Sequence, residues 1–265
     1  MPAFCLTLFI AEATMLSVRP LLPLTVSSCL LLLLATQNVF ATTKKPATNG
    51  GGIKLSQTRV VFLATDKAQT LSVDNSDSQT YLIQSRIQRD LDDTASAPFI
   101  ITPPLFPLPA NNRQLLRILP QDIAALPTDR ESLFYLSVLG IPAQTNQENA
   151  SSQISMGLRF MIKLFYRPAG LSITPEAAAC HLQFSRTPQG VQVNNPTPYY
   201  HSLAKLTFNH TAIDLNTAPS MVAPMSRVTY AIPGPLTQVQ WQIITDHGGL
   251  SEPCQQSISS TKRSL

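Results

Sequence analysis

Two cations embedded in apolar segments are the side chains of this 265-residue chain whose positions could most readily perform chemistry. Arg59 precedes a run of apolar residues, and Lys163 interrupts another. A charge inside such a segment must reach water or be paired. In one interpretation both stems extend along apolar surface to solvent. In the other, both cations donate charge-assisted hydrogen bonds to one carboxylate, which would be bound and not transformed.

Catalytic and metal sites find no comparable support in the sequence. The chain contains neither a G-x-S-x-G segment nor a P-loop, and no cysteine and histidine stand at a nucleophile-like spacing. The cysteines form no C-x-x-C grouping typical of zinc sites. We therefore expect no catalytic residue, no metal and no cofactor, and a protein that is not an enzyme. The four histidines are scattered: His181, His201, His210 and His247.

The segment that contains Lys163 has an apolar residue at every second position. Side chains on a β-strand alternate between faces, so these residues would share one side, whereas on a helix they would scatter. The thirteen residues from Ile154 to Tyr166 would extend about 43 Å as a strand, which is longer than most strands. We expect it to outrun its neighbours and to leave an open edge that a partner's strand could join. The apolar positions are Ile154, Met156, Leu158, Phe160, Ile162, Leu164 and Tyr166.

The N-terminus has the features of a secretory signal peptide over residues 1–41. A leucine-rich core too short to span a bilayer comfortably is followed by a small-residue cleavage pattern that ends at Ala41. Translation from Met15 instead of Met1 would give a more ordinary signal length. The alternatives are an uncleaved anchor and lipidation at Cys29.

Export would place the chain in an oxidising compartment, where paired thiols normally form disulfides. Two cysteines remain after removal of the signal, and we expect Cys180 to pair with Cys254. The formal net charge of +4 is dispersed along the chain. Because nucleic-acid binding requires a clustered basic surface, we expect no nucleic-acid partner, and we expect no stable membrane insertion. The modest basicity suits solubility or an acidic partner.

Short apolar or alternating runs divided by Pro, Asn, Asp and Gly predict an all-β fold built from antiparallel sandwiches. The first series of predicted strands covers 55–63, 69–75, 81–88, 114–119, 132–140 and the alternating segment. A hinge is predicted at 167–170, and the second series covers 181–185, 190–194, 199–209, 227–232 and 238–245. We therefore predict a flexible lead at 42–52, β-sandwich domains at 53–168 and 169–258, and a C-terminal tail at 259–265.

Four segments, in the same order along the chain, resemble signature segments of the periplasmic fimbrial chaperones of the chaperone–usher pathway, the PapD-like family. Together they span the chain from about residue 53 to its C-terminus. The resemblance implies two immunoglobulin-like β-sandwich domains in an L-shaped or boomerang arrangement. The segments are Thr58-Arg59-Val60-Val61-Phe62, the run at 126–135, Ile162-Lys163-Leu164-Phe165-Tyr166-Arg167-Pro168 and Asn195-Pro196-Thr197-Pro198-Tyr199-Tyr200.

The resemblance implies a periplasmic protein that binds fimbrial subunits and delivers them to an outer-membrane usher for pilus assembly. Subunits of that pathway lack their final strand, and the chaperone inserts alternating side chains from the last strand of its first domain. By position this role falls to Ile154, Met156 and Leu158, with Phe160 as an extension of the series. Relatives can dimerise through this surface, so the resemblance also suggests a transient homodimer.

The same resemblance assigns roles to five charged residues. Arg59 and Lys163 match the two cleft residues that anchor the C-terminal carboxylate of the subunit. Such an anchor would set the register, which a hydrophobic strand alone leaves loose. Glu131, Arg167 and Asp246 match a charge triad between the two domains.

The segment 103–109, with the sequence Pro-Pro-Leu-Phe-Pro-Leu-Pro, is more apolar than the family loop that it resembles. The resemblance implies a cis peptide bond before Pro103. We expect the segment to be either an additional contact surface or a packed loop.

Two other classes of function stay open beside the chaperone. A structural fimbrial subunit or adhesive immunoglobulin-like module should carry an alternating apolar segment at its mature N-terminus, and 42–52 lacks one. A hydrolase on an immunoglobulin-like scaffold would need a nucleophile clustered with a base, and the sequence offers no such grouping.

Overall fold

The computed structural model describes residues 52–92, 95, 97–143 and 156–258. The predicted signal peptide, most of the lead, the C-terminal tail and Ile154 lie outside the described residues. The strands of the first domain are β1 (Ile53–Leu55), β2 (Arg59–Leu63), β3 (Gln69–Asn75), β4 (Tyr81–Gln88), β5 (Phe99–Thr102), β6 (Leu105–Leu108), β7 (Arg113–Pro120), β8 (Ser132–Pro142) and β9 (Leu158–Arg167).

The first domain is a sandwich of two sheets, with strand orders β1-β3-β7-β5 and β2-β9-β8-β4-β6. The sequence predicted one strand at 55–63, and this prediction was wrong because the chain changes sheets within it. β1 pairs with β3, whereas β2 runs parallel to β9 in the opposite sheet. Ser56 fixes the change: its N–H donates to the Ser72 carbonyl at 3.0 Å, and its Oγ accepts from the Ser72 N–H at 2.9 Å.

The core of the first domain is centred on the aromatic ring of Phe99. Its centroid lies 5.2 Å from that of Phe62 and 5.4 Å from that of Phe134, in edge-to-face geometry that aromatic pairs favour. Leu164 of β9 stands opposite Phe134 of β8, and Phe160, Ile162 and Tyr166 pack against the same core. The alternation predicted for this strand is therefore confirmed from Phe160 to Tyr166.

The segment 103–109 is packed, as one of the two alternatives predicted, but the prediction of a loop was wrong. It contains the edge strand β6, whose Phe106 and Leu108 are buried in the core while Leu105 is exposed. Proline cannot donate to a sheet ladder, and an edge strand tolerates Pro107 for that reason. The peptide bond between Thr102 and Pro103 is cis, as the resemblance implied.

The second domain is also a sandwich, with strand orders β10-β11-β15 and β13-β12-β16-β17, and with β14 paired to β12. A short helix, α1, precedes its strands, and the Thr174 hydroxyl caps it by accepting the Ala177 N–H at 3.3 Å. The elements are α1 (Pro175–Ala178), β10 (Gln183–Thr187), β11 (Gly190–Asn195), β12 (His201–Phe208), β13 (Thr211–Ala212), β14 (Met221–Val222), β15 (Ser226–Tyr230), β16 (Gln238–Ile243) and β17 (Cys254–Ser257).

The core of the second domain surrounds Trp241, whose ring centroid lies 4.8 Å from that of Phe184. Its indole Nε1 donates to the Ala179 carbonyl at 3.1 Å, so the polar atom of the ring is satisfied. The predicted disulfide between Cys180 and Cys254 is confirmed, and it joins the segment after α1 to β17.

Candidate functional site

β9 is covered unequally on its two edges. On one side it pairs with β8 from Leu158 to Tyr166. On the other side β2 covers it only from Lys163 to Arg167. Within the described residues, the backbone of β9 from Leu158 to Ile162 therefore has a strand neighbour on one side only. We call the uncovered side of this stretch the open edge.

The apolar side chains along the open edge become more exposed toward its N-terminal end. Phe160 and Ile162 are partly buried and pack against the core of the first domain. Leu158 is 52% exposed, and Met156, just before the strand, is 81% exposed. Large exposed apolar side chains beside unpaired backbone favour association with another strand. Ile154, the remaining residue predicted for this row, lies outside the described residues.

Arg59 and Lys163 lie side by side at the inner end of the open edge. They stand opposite each other in the parallel register of β2 with β9. The Arg59 side chain is held in place: its Nη1 donates to the Ile244 carbonyl at 3.0 Å, and its guanidinium lies 5.8 Å from the centroid of the Phe165 ring. Lys163 Nζ donates to the Ser202 hydroxyl at 3.3 Å.

The electrostatic environment of the two cations calls for an anion. Arg59 is only 9% exposed, and its Nε–H has no hydrogen-bond partner in the described part of the chain. Burial lowers the pKa of Arg59, and the carboxylates of Asp246 and Glu131 partly oppose that shift. Burial also lowers the pKa of Lys163, and the positive charge of Arg59 lowers it further. A carboxylate bound between them would offset both the burial and the mutual repulsion.

Arg167, at the end of β9, joins the two domains through the predicted charge triad. It donates to Glu131 from Nε at 2.8 Å, and to Asp246 from Nη1 and Nη2 at 2.7 and 2.9 Å. Burial alone would lower the pKa of Arg167, but the two carboxylates raise it overall. The second oxygen of Glu131 accepts the Tyr200 N–H at 2.8 Å, so this buried carboxylate is held by both domains.

Gly248 brings a loop of the second domain against the start of β2. Its φ of +83° lies in the region that favours glycine. A Cβ at this position would lie 2.7 Å from the Thr58 hydroxyl oxygen, next to Arg59. The positive φ and the close approach therefore both favour glycine at this position.

A cavity of about 270 Å³ lies beside Arg59, and His201 also lines it. The Thr197 hydroxyl donates to Asn195 Oδ1 at 2.8 Å, so its oxygen must accept from His201 Nε2 at 2.9 Å. His201 Nδ1 is then a lone-pair acceptor, and it has no partner among the described residues. Burial, with a smaller effect of His181, lowers the pKa of His201 to about 4, so the ring is neutral near pH 7.

Two further features concern the part of the chain that the structure describes. It contains no group of three or more His, Cys, Asp or Glu side chains placed to hold a metal ion. It also contains no helix that is both long and apolar enough to cross a membrane.

Both halves of the chain match known sequence families. Residues 52–172 match the pili and flagellar-assembly chaperone family, PapD N-terminal domain, and residues 177–255 match the pili assembly chaperone PapD, C-terminal domain. The chain belongs to the PapD family of pili assembly chaperones.

Individual members of the PapD family are similar to this chain in sequence and in fold. The chain is 38% identical to the chaperone protein FocC of Escherichia coli over 204 residues, which cover 76% of this chain and 88% of FocC. A chain of the Salmonella enterica complex between the SafA pilin and the SafB chaperone superimposes with a TM-score of 0.70 and 34% identity, covering 78% of this chain and 96% of that one. The E. coli chaperone DraB gives a TM-score of 0.69 and 32% identity, with coverage of 78% and 98%.

The structure thus assembles most of the residues predicted from the PapD-family resemblance. Arg59 lies beside Lys163, and Glu131, Arg167 and Asp246 form one ion-paired cluster. The sequence did not reveal the groups that hold the cations, namely the Ser202 hydroxyl and the Ile244 carbonyl. Ser202 lies two residues after the end of the signature segment at 195–200, which is the one local hint of its position.

Proposed function

We propose that this chain is a periplasmic chaperone that binds fimbrial subunits by adding β9 to their incomplete fold. The observation that carries the proposal is the open edge of β9, which ends at the paired cations Arg59 and Lys163. A β-strand that docks there gains main-chain hydrogen bonds from the unpaired backbone. Its carboxylate would end the strand at the cations and so fix its register.

The geometry defines the direction of the bound strand. Its C-terminus must lie at Lys163, and the strand must extend back toward Leu158 to cover the open edge. It therefore runs parallel to β9, in the same direction as β2. Because β2 begins opposite Lys163, at Arg59, the bound strand and β2 would lie end to end along β9.

The apolar side chains of β9 would supply the second part of the affinity. Met156, Leu158 and Phe160 lie at alternate positions. Met156 is largely exposed, and Leu158 is half exposed. A subunit that lacks its final strand exposes a groove into which such a row can fit. Complete burial of one side chain contributes about 1.5–3 kcal/mol. Phe160 is already partly buried, so its additional contribution is smaller than that of Leu158.

In this role the chain binds its partner without catalysing a reaction, and it uses no cofactor. The incomplete fold of the subunit supplies the driving force, and the complex then passes the subunit to an outer-membrane usher. A transient homodimer would cover the open edge when no subunit is bound.

A role as a structural subunit or adhesive module is less well supported, because the relatives with 38% and 32% identity are both chaperones.

Affinity capture from a periplasmic extract tests the proposed function. The wild-type protein should retain a fimbrial subunit, and Lys163→Ala should not. Lys205→Ala is the matched control, because Lys205 is an exposed lysine on β12 of the second domain. Equal retention by Lys163→Ala and by wild type would contradict the assignment of the cation pair.

Homodimer formation needs a separate measurement. Sedimentation of the free protein should show a reversible, concentration-dependent dimer that dissociates when subunit is added. A dimer that persists in the presence of subunit would contradict the view that both use the same edge.

A further inference from the structure

The second domain presents two acceptors side by side to the two cations of the first domain. Lys163 Nζ donates to Ser202 Oγ at 3.3 Å, and Arg59 Nη1 donates to the Ile244 carbonyl at 3.0 Å. The two acceptors are themselves linked, because the Ile244 N–H donates to the Ser202 carbonyl at 2.8 Å. A pair of neighbouring cations thus faces a pair of neighbouring acceptors.

The surroundings of Lys163 explain why such a support is needed. Its ammonium stands next to Arg59, and like charges repel most strongly where water is excluded. A lysine side chain is also flexible, so an unsupported ammonium would move away toward solvent. Ser202 is 2% exposed, and its hydroxyl therefore offers a fixed, buried acceptor. One N–H of the ammonium suffices for this bond, which leaves two donors for an incoming carboxylate.

We propose that Ser202 is a positioning residue, which holds the Lys163 ammonium beside Arg59 before any carboxylate arrives. This inference rests on the proposed function, since it concerns the same carboxylate anchor. A side chain that is ordered in advance loses less conformational freedom on binding. Ser202 therefore increases the affinity for strands that end in a free carboxylate at the cations, and it leaves the rest of the strand contact unchanged.

Two forms of one synthetic peptide separate the anchor from the strand contact. The probe is a fluorescein-labelled peptide of alternating valine and threonine, about ten residues long to match an ordinary strand, prepared as the free acid and as the C-terminal amide. Fluorescence anisotropy gives Kd for both forms. Wild type should prefer the acid. Ser202→Ala should weaken acid binding about threefold to tenfold and leave amide binding unchanged.

Two kinds of control accompany this measurement. Ser226→Ala removes another serine hydroxyl of the second domain, one that donates to the Ala223 carbonyl, and it should leave both affinities at the wild-type values. The variants Ser202→Thr and Ser202→Val form the second control. Threonine and valine side chains have nearly the same shape, but only threonine carries a hydroxyl. This pair decides the question even if Ser202→Ala folds poorly, because threonine should retain the preference for the acid and valine should reduce it.

A second readout needs no peptide. Loss of the Ser202 hydroxyl removes a hydrogen bond to the charged ammonium, so the pKa of Lys163 should fall in Ser202→Val relative to Ser202→Thr. Nuclear magnetic resonance of the lysine side chain follows this titration. Suppose that wild type prefers the acid, and that Ser202→Val keeps both this preference and the wild-type pKa of Lys163. The carboxylate anchor then exists, but Ser202 has no positioning role. If wild type binds acid and amide equally, the anchor is wrong and this inference fails with it.

Discussion

Arg59 lies directly opposite Lys163 in the parallel pairing of β2 with β9, so the strand that covers β9 begins where its open edge ends. The cations therefore mark a boundary along one strand. On one side β9 is covered by β2, and on the other its backbone has no second strand neighbour among the described residues. This arrangement leads to predictions that separate binding from stability.

Replacing Leu158 by serine should weaken subunit binding and leave the fold almost unchanged. The side chain is half exposed in the free protein, so its loss should change the free energy of unfolding by less than about 0.5 kcal/mol. In the complex its exposed half would be buried, and the variant should lose about 0.8–1.5 kcal/mol of binding free energy, half the value for complete burial. Leu115→Ser is the matched control, because Leu115 is 59% exposed on β7 of the other sheet. Calorimetric titration should show normal binding by this control.

Replacing Lys163 by methionine should also weaken subunit binding without loss of stability. Burial and Arg59 both disfavour the lysine charge, so removing it should leave the free energy of unfolding at or above the wild-type value. Subunit affinity should fall by about tenfold or more, because a charge-assisted hydrogen bond is lost. Urea denaturation checks the predicted stability, and binding titrations check the predicted loss of affinity. A variant that is markedly less stable than wild type would show that Lys163 serves the fold.

Arg167→Met should destabilise the protein strongly. The substitution leaves the buried Glu131 carboxylate without its cation, and breaking a buried pair in this way costs about 3–5 kcal/mol. Arg130→Met provides the comparison, because Arg130 pairs with Asp129 on the surface, and stability should stay close to wild type. Urea denaturation monitored through Trp241, the one tryptophan of the chain, reports on the second domain. Equal midpoints for both variants would contradict the structural role of Arg167.

His201 should make the protein less stable in mild acid. Its pKa falls from 6.5 to about 4 on folding, so between these values the unfolded chain binds the proton more tightly than the folded protein does. The stabilisation is complete above pH 6.5 and is lost as the pH falls toward 4, by up to about 3 kcal/mol. Carboxylates also titrate in this range, so the pH profile of wild type is compared with that of His201→Leu. The stability of this variant should fall less steeply as the pH is lowered. Parallel pH profiles would rule out His201 as the cause.

Much of the candidate site could be predicted from the sequence because its signals are local. The alternation along β9 shows its core-facing side, and a cation inside that pattern is conspicuous. The resemblance added the partners that lie far apart in sequence, such as Glu131 and Asp246 around Arg167.

The remaining features depend on tertiary structure, which the sequence pattern did not contain. The change of sheet between β1 and β2 falls on three polar residues, 56–58, which separate two apolar runs but do not by themselves show that the chain crosses to the other sheet. β6 was missed because four prolines in the segment 103–109 suggested a loop, although its alternation fits an edge strand. Ser202 and the Ile244 carbonyl become visible only when the second domain is placed against the cations.

Amide hydrogen exchange across β9 tests the central claim most directly. In the free protein, amides of the open edge that point away from β8 should exchange quickly, whereas those covered by β2 should be protected. Addition of a fimbrial subunit should slow exchange between Leu158 and Ile162, and Lys163→Met should weaken that protection. Protection that arises elsewhere on the chain, with exchange in this stretch unchanged, would contradict the claim that β9 is the strand lent to the subunit.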